Sequence, residues 1–266
     1  MIETERFEDI TCIRMSREVE GRALYWVAAY LVDGLLIDTG CSYTAAELAG
    51  FLEDKELRLV VNTHYHEDHV GANRLIGEKF HVDVLAHPDS IPLISEVPEL
   101  KPYQEFVWGY PDTPGRASAL GEVVTTEKYR FQVIETGGHS RGHVSLVEPD
   151  RGWCFSGDIF ITERPEVIRA DEDVRGLIKS MKMLAGLPTE RLVLLTSMGR
   201  IIPEGRSALL SCAHHLEELT EQVQAYAAQG LAHSEIRERI FGRGSSLAGL
   251  TGGHFSSGNL VASILR

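Results

Sequence analysis

The apolar positions of the chain fall into short runs divided by polar turns, and their period changes along its length. "ALYWVAAYLVDGLLIDTG" holds two apolar stretches joined by Asp33-Gly34, a pair that tolerates the positive φ angles of a tight hairpin. In "TAAELAGFLE", Thr44 and Glu47 have the spacing of a capping box, so a helix is expected to start there. "LRLVVNTH" is apolar enough for a buried strand, "GANRLIGEKF" reads as helix, and "HVDVLAH" gives another short strand. Strands and helices alternating at this pace predict a layered α/β domain.

From about residue 88 to 127 the pattern breaks down. Pro88, Pro92, Pro98, Pro102, Pro111 and Pro114 interrupt it, and Tyr103, Phe106, Trp108 and Tyr110 cluster inside. A long irregular segment in a compact domain is often a lid or a binding loop; the plainer alternative is an insertion whose aromatic rings pack onto the domain. Order returns in "YRFQVIETGGHSRGHVSLVEPDRGWCFSGDIFI", which reads as three β segments. "DVRGLIKSMKMLAGL" has helical spacing, and "RLVLLTSMG" is expected to be the final strand. After Pro203 the chain is expected to be helical. Leu209, Ala213, Leu216, Leu219 (or Thr220) and Val223 form a stripe that should dock one face of a long helix. This gives a domain over 1–202, with the irregular insertion at 88–127, and a C-terminal helical extension over 203–266.

Composition narrows the function classes. Acidic residues outnumber basic ones 39 to 26, for a formal charge of -13, which disfavours nucleic acid and anionic membrane as partners. No apolar run approaches the roughly 20 residues needed to cross a bilayer. The acidic N-terminus "MIETERFEDI" lacks the apolar core of a secretory signal, so a cytoplasmic location is expected. Cys12, Cys41, Cys154 and Cys212 are scattered and form no C-x-x-C pair, which suggests neither a thiolate metal site nor a disulfide framework.

The candidate chemistry lies in "VNTHYHEDHVGAN", where His64, His66, Asp68 and His69 form H-x-H-x-D-H. Imidazole nitrogen and carboxylate oxygen together suit zinc, iron or manganese. Alternation in an extended segment turns His64 and His66 to one side, so both can reach one ion. A turn after them would aim Asp68 and His69 at a second. The cluster begins where a strand ends, the place where open α/β sheets hold their ligands.

On these residues the chain resembles the metallo-β-lactamase fold superfamily, an αββα sandwich of two sheets covered by helices, over most of its length up to about residue 202. "LLIDTG" is similar to the superfamily's early strand ending in an aspartate, which makes Asp38 a buried group behind the ligands. "ETGGHSRGH" is similar to its T-P-G-H-T-x-G-H segment and makes His139 the next ligand. "CFSGDIF" is similar to its G-D turn and makes Asp158 a carboxylate shared by two ions. The resemblance thus implies a first site of His64, His66 and His139, and a second of Asp68 and His69 with Asp158 shared. His143 is expected to support or pack rather than ligate.

One element departs from the pattern. Where the superfamily places a last histidine ligand, "LLTSMGR" has Met198, a soft thioether ill suited to such an ion. A single ion, a weak second ion completed by water, or a substitute ligand would each accommodate it. His254 in "TGGHFSSGN" is the foremost substitute, ahead of His214, His215 and His87; none of the four is assigned as a ligand.

The resemblance implies a hydrolase that uses a metal-bound hydroxide, with Asp68 also orienting the nucleophile and zinc, in one or two ions, as the cofactor; iron or manganese would serve the same ligands. The family layout is like that of glyoxalase II up to the G-D turn, yet the C-terminal segment shows no clear basic pair for glutathione. A small-molecule acyl substrate (thioester, ester or lactone), under the aromatic 88–127 segment, is expected. The other readings are a mononuclear iron oxygenase like the persulfide dioxygenases, a phosphodiesterase or ribonuclease, and a degenerate non-catalytic member. The C-terminal helices are expected to cap the sandwich or form a homodimer surface.

Overall fold

The computed structural model describes residues 1–112, 117–242 and 245–266. Within these the chain falls into two compact units. The first comprises residues 1–135, 141–157 and 189–203, and the second residues 136–140, 158–188 and 204–266.

The first unit is built on two sheets. One holds β1 (Ile2–Phe7), β2 (Ile10–Met15), β5 (Val27–Val32), β6 (Leu35–Ile37), β7 (Leu59–Val61), β8 (Asp83–Ala86) and β9 (Ser118–Ala119), in that order; β3 (Glu18–Val19) and β4 (Arg22–Ala23) form a small separate hairpin. The β5–β6 hairpin turns at Asp33-Gly34, both at positive φ (47° and 80°), as the sequence predicts. From β6 onward the pairing is parallel, so the chain after Ile37 and after Val61 emerges at the same edge of the sheet. The other sheet has the order β10 (Val123–Thr125), β11 (Arg130–Glu135), β12 (Val144–Glu148), β13 (Trp153–Gly157), β15 (Val193–Thr196) and β16 (Ile201–Ile202).

The residues of β5 alternate between two cores. Ala28, Tyr30 and Val32 join Phe131, Leu146, Trp153 and Phe155 in the cluster between the sheets. Val27, Ala29 and Leu31 face a second cluster with Leu48 and Leu52 and with Ile76. Leu48 belongs to α1 (Ala45–Phe51) and Ile76 to α2 (Asn73–Phe80). A strand buried on both faces reads as a continuous apolar run, with its period of two hidden in which core each residue enters.

Two local expectations are corrected. Thr44 does not close a capping box: its hydroxyl donates to the Cys41 carbonyl at 3.1 Å, and no side chain caps α1. The strand at Val193–Thr196 is not the last, because β16 follows it and β17 (Phe255–Ser256) lies far downstream.

The 88–127 segment is less irregular than its prolines suggest, though its residues 113–116, Pro114 included, lie outside the described residues. It forms α3 (Ile91–Ser95) and α4 (Pro102–Val107), with Pro92 and Pro102 in first turns, where a missing N–H costs nothing. Trp108 is buried, with Tyr103 packed beside it in the α1–α2 core, whereas Phe106 and Tyr110 are exposed. Several ties hold the segment down. Ser42 Oγ donates to the Trp108 carbonyl at 2.9 Å, Tyr43 Oη to that of Glu105 at 3.0 Å, and Gln104 Nε2 to Glu67 Oε1 at 2.7 Å.

The second unit is mostly helical. It contains β14 (Ile168–Arg169) and α5 (Val174–Ala185), then α6 (Gly205–Ala228), α7 (His233–Phe241), α8 (Ser246–Leu250), β17 and α9 (Ser257–Leu265). Leu209, Ala213, Leu216, Leu219 and Val223 are all buried on α6, as the stripe predicts, and α5 packs along that helix. Asp173 caps α5, its carboxylate accepting from Arg175 N at 3.1 Å. β14 and β17 pair antiparallel, Ile168 opposite Ser256 and Arg169 opposite Phe255. All four cysteines are buried and free; burial pushes the Cys12 thiol up to about 11 and those of Cys154 and Cys212 up to about 12. Among the described residues no helix is long and apolar enough to cross a membrane.

Candidate metal centre

In the first unit, the loop after β7 carries the H-x-H-x-D-H run. Its backbone turns back on itself, with His69 N donating to the His66 carbonyl at 2.9 Å and Val70 N to the same oxygen at 3.2 Å. This is the turn that the sequence requires if Asp68 and His69 are to diverge from His64 and His66. The ring nitrogens His64 Nε2 and His66 Nδ1 stand 2.8 Å apart, and the His64 and His69 ring centroids 4.0 Å apart. All three rings are buried.

Asp38 organises the base of this cluster. It follows β6 and takes a left-handed conformation at φ 61°, one that aspartate tolerates better than most residues. One carboxylate oxygen accepts from Thr63 N at 2.7 Å; the other accepts from Thr63 Oγ1 at 2.8 Å and from His69 Nδ1 at 2.7 Å. Because a carboxylate only accepts, His69 carries its proton on Nδ1. Thr63, having donated its hydroxyl proton to Asp38, accepts from His64 Nδ1 at 3.0 Å. Asp38 therefore sets the proton positions of two histidines, one directly and one through a hydroxyl. Below the loop, the side chains of Thr39, Asn62 and Asn73 are buried and bonded to one another, and the His69 carbonyl accepts from Thr39 Oγ1 at 3.1 Å.

Asp68 is 12% exposed, and its Oδ2 stands 3.9 Å from His69 Nε2. Glu67, which the sequence reading passes over as a spacer, is buried and bonded to Gln104 of α4. His143 is buried with its ring centroid 5.0 Å from that of His64, and a Cβ on Gly157 would come within 2.5 Å of its Nε2. It packs against the cluster, as expected of a supporting histidine.

In the second unit, His139 Nε2 stands 3.4 Å from Asp158 Oδ2. His139 Nδ1 donates to Glu172 Oε1 at 2.6 Å, so its proton is fixed on the nitrogen facing away from Asp158. Gly138, at φ 117°, permits this approach: a Cβ there would lie 2.2 Å from Leu177 N. Glu172 is the partner that sequence reading missed, since "RADEDV" gives no sign of which acidic residue turns inward.

The proposed substitutes for a last ligand have other engagements. His87 Nε2 pairs with Glu135 at 3.2 Å, His214 with Glu218 at 3.3 Å on the exposed face of α6, and His215 Nε2 lies 3.3 Å from the Pro165 carbonyl. His254 is half-buried beside Phe255, and Asn259 Nδ2 donates to its carbonyl at 2.8 Å. Met198 is half-buried and receives a hydrogen bond from Tyr25 Oη at 3.6 Å to its sulfur.

The donor set fits a divalent ion. Two nitrogens held about 2.0–2.1 Å from one tetrahedral zinc are roughly 3.3 Å apart. The His64–His66 pair, at 2.8 Å, and the His139–Asp158 pair, at 3.4 Å, bracket that spacing. In His64 and His139 the proton lies on Nδ1, so Nε2 is the nitrogen able to bind an ion.

Comparison with known proteins adds to this geometry. A family model described as the metallo-beta-lactamase superfamily matches residues 27–196. A hydroxyacylglutathione hydrolase, GloC of Haemophilus influenzae, is 27% identical over 111 residues, 40% of this chain and 51% of its own. The thioesterase pkgB of Emericella nidulans is 27% identical over 158 residues, 58% of this chain and 39% of its own. The chain thus spans about half the length of the first of these relatives and less of the second. A beta-lactamase domain protein from Burkholderia ambifaria superposes with a TM-score of 0.70 at 17% identity, covering 100% of this chain and 85% of that one, which bears on the fold alone.

Proposed function

The chain belongs to the metallo-beta-lactamase superfamily, and from that premise we propose that it is a metal-dependent hydrolase of a small acyl compound, a thioester, ester or lactone. By likeness to that family, His64, His66 and His139 would hold a first ion and Asp68 and His69 a second, with Asp158 common to both. The reading is supported by the couples at 2.8 and 3.4 Å, in which the Thr63 hydroxyl, itself bonded to Asp38, holds the His64 proton on Nδ1 and Glu172 holds that of His139 on Nδ1. An ion bound there lowers the pKa of bound water to about 7 and so supplies hydroxide near neutral pH. The protein's own contribution is to hold the imidazoles as neutral donors and keep the loop rigid. Asp68, the most accessible carboxylate of the loop, accepts a hydrogen bond from the attacking water and orients it.

The acyl substrate class is supported by the kinds of relative found, a hydroxyacylglutathione hydrolase and a thioesterase, and by the charge of -13, which opposes a polyanion. Zinc is favoured by the nitrogen-rich ligand set, and iron or manganese suits the same ligands.

The test is elemental analysis of protein purified without added metal, followed by hydrolysis of a panel of acyl thioesters, esters, lactones and nucleic acids. At least one zinc per chain with turnover of an acyl compound is the expected result. Cleavage of nucleic acid alone would sink the substrate class. Iron alone, with oxygen uptake, would replace hydrolysis by an oxygenase reading.

A further inference from the structure

We infer that Glu172 is the positioning residue of the His139 ligand, and that the C-terminal helix α9 holds it in place; the inference rests on His139 binding a metal. Glu172 is buried, and its two carboxylate oxygens do different work. Oε1 accepts from His139 Nδ1 at 2.6 Å, and Oε2 accepts from Arg169 N at 2.6 Å. Both partners are N–H donors, one on each oxygen, so both ends of the group must accept, which a carboxylate does and a carboxamide cannot. A glutamine there would turn its NH2 group toward one of them.

The backbone of the same residue is anchored from the other direction. The Glu172 carbonyl accepts from Ser263 Oγ at 3.1 Å and from Arg266 Nη2 at 2.7 Å. Ser263 also accepts from Val174 N at 3.0 Å, bridging α9 to the first residue of α5. The turn that presents Glu172 is closed by Glu172 N on the Arg169 carbonyl at 3.3 Å, and Asn259 of α9 donates to the Ile168 carbonyl at 3.1 Å. On the other side of the turn, Asp173 N donates to the Gly138 carbonyl at 2.7 Å, next to His139 itself. The ring is therefore held at its Nδ1 and at its preceding peptide by two neighbouring residues, both braced by the C-terminal helix. A ligand histidine whose outer nitrogen is fixed in this way keeps its tautomer and its direction, and removing such a partner typically costs about 10–100-fold in metal affinity.

The experiment uses the full chain stripped of metal, with zinc as the probe. Zinc affinity is measured by competition with a chelator, and the His139 tautomer by long-range 1H–15N correlation of its ring in the zinc-free protein. Wild type should show His139 as the Nδ1–H tautomer. Glu172→Ala should show a tautomer mixture and bind zinc about 10–100-fold more weakly, with Glu172→Gln between the two. Ser263→Ala, at a residue remote from the ring, should weaken zinc roughly 2- to 10-fold, the effect of one lost hydrogen bond. An unchanged tautomer and unchanged zinc affinity in Glu172→Ala would overturn the inference. If Glu172→Ala does not fold, Ser263→Ala and Glu172→Gln decide by the same two readouts. Failure of wild type to bind zinc would count against the metal reading, while the tautomer of the zinc-free protein would still decide whether Glu172 sets the ring.

Discussion

At the scale of single residues, Asp38 shows how one side chain determines several others. It sits at φ 61°, and its carboxylate takes three hydrogen bonds in a buried site. Alanine there would leave the Thr63 N–H, the Thr63 hydroxyl and the His69 Nδ1–H facing one another without an acceptor. Each such loss costs about 1–3 kcal/mol. Asp38→Ala is therefore expected to lower stability by roughly 3 kcal/mol or more, read as a fall in the urea midpoint at constant slope. Asp38→Asn tolerates the left-handed backbone and keeps one acceptor, so its loss should be smaller. Equal losses for the two variants would mean that these hydrogen bonds are not what holds the loop.

At the scale of elements, the proposed ligands lie in tight turns between strands rather than on the surfaces of strands or helices. His64 and His66 follow β7, Asp158 follows β13, and His139 lies in the turn between β11 and β12. Gly138 makes that last turn possible, because its φ of 117° and its approach to the start of α5 exclude any Cβ. Gly138→Ala should cost about 1–3 kcal/mol in backbone strain alone. It should also displace His139, so zinc affinity should fall more than the same substitution at Gly230, whose ideal Cβ meets nothing within 4 Å. Parallel urea and chelator titrations of the two variants check this. The aromatic segment belongs to this scale as well. Its proline pattern hides two short helices, since Pro92 and Pro102 begin them rather than break them. Its hydrogen bonds to Ser42, Tyr43 and Glu67 hold it as packed structure, with Phe106 and Tyr110 left exposed.

At the scale of the whole molecule, the open number is the metal stoichiometry. The family resemblance would set Met198 where a last ligand histidine is expected, and its sulfur accepts from the Tyr25 hydroxyl. If residue 198 is the counterpart of that missing ligand, wild type holds its first ion tightly and its second weakly, and keeps about one ion per chain on dialysis. Met198→His should then raise the content toward two, measured by elemental analysis after dialysis against metal. No gain would mean that residue 198 is not the counterpart of that ligand. The experiment also separates a site weakened by one substitution from one completed by another residue.

What the sequence determined by itself was set mainly by local period. The Asp33-Gly34 hairpin, the buried strands and the α6 stripe follow from sterics and alternation, and the run at His64–His69 offers donor types that a divalent ion accepts. The resemblance that these residues carry extended the reading to His139, Asp158 and Asp38. Only the tertiary structure decided which groups answer those residues. Glu172 meets His139 from 33 residues away, Thr63 passes the influence of Asp38 on to His64, and Gln104 pairs with Glu67. Thr44 has the spacing of a cap and yet bonds to Cys41. In each case a polar side chain had several chemically equal partners, and packing chose among them. A buried donor bonds to whichever acceptor the folded backbone brings within about 3 Å, and that distance is written in no local stretch of sequence.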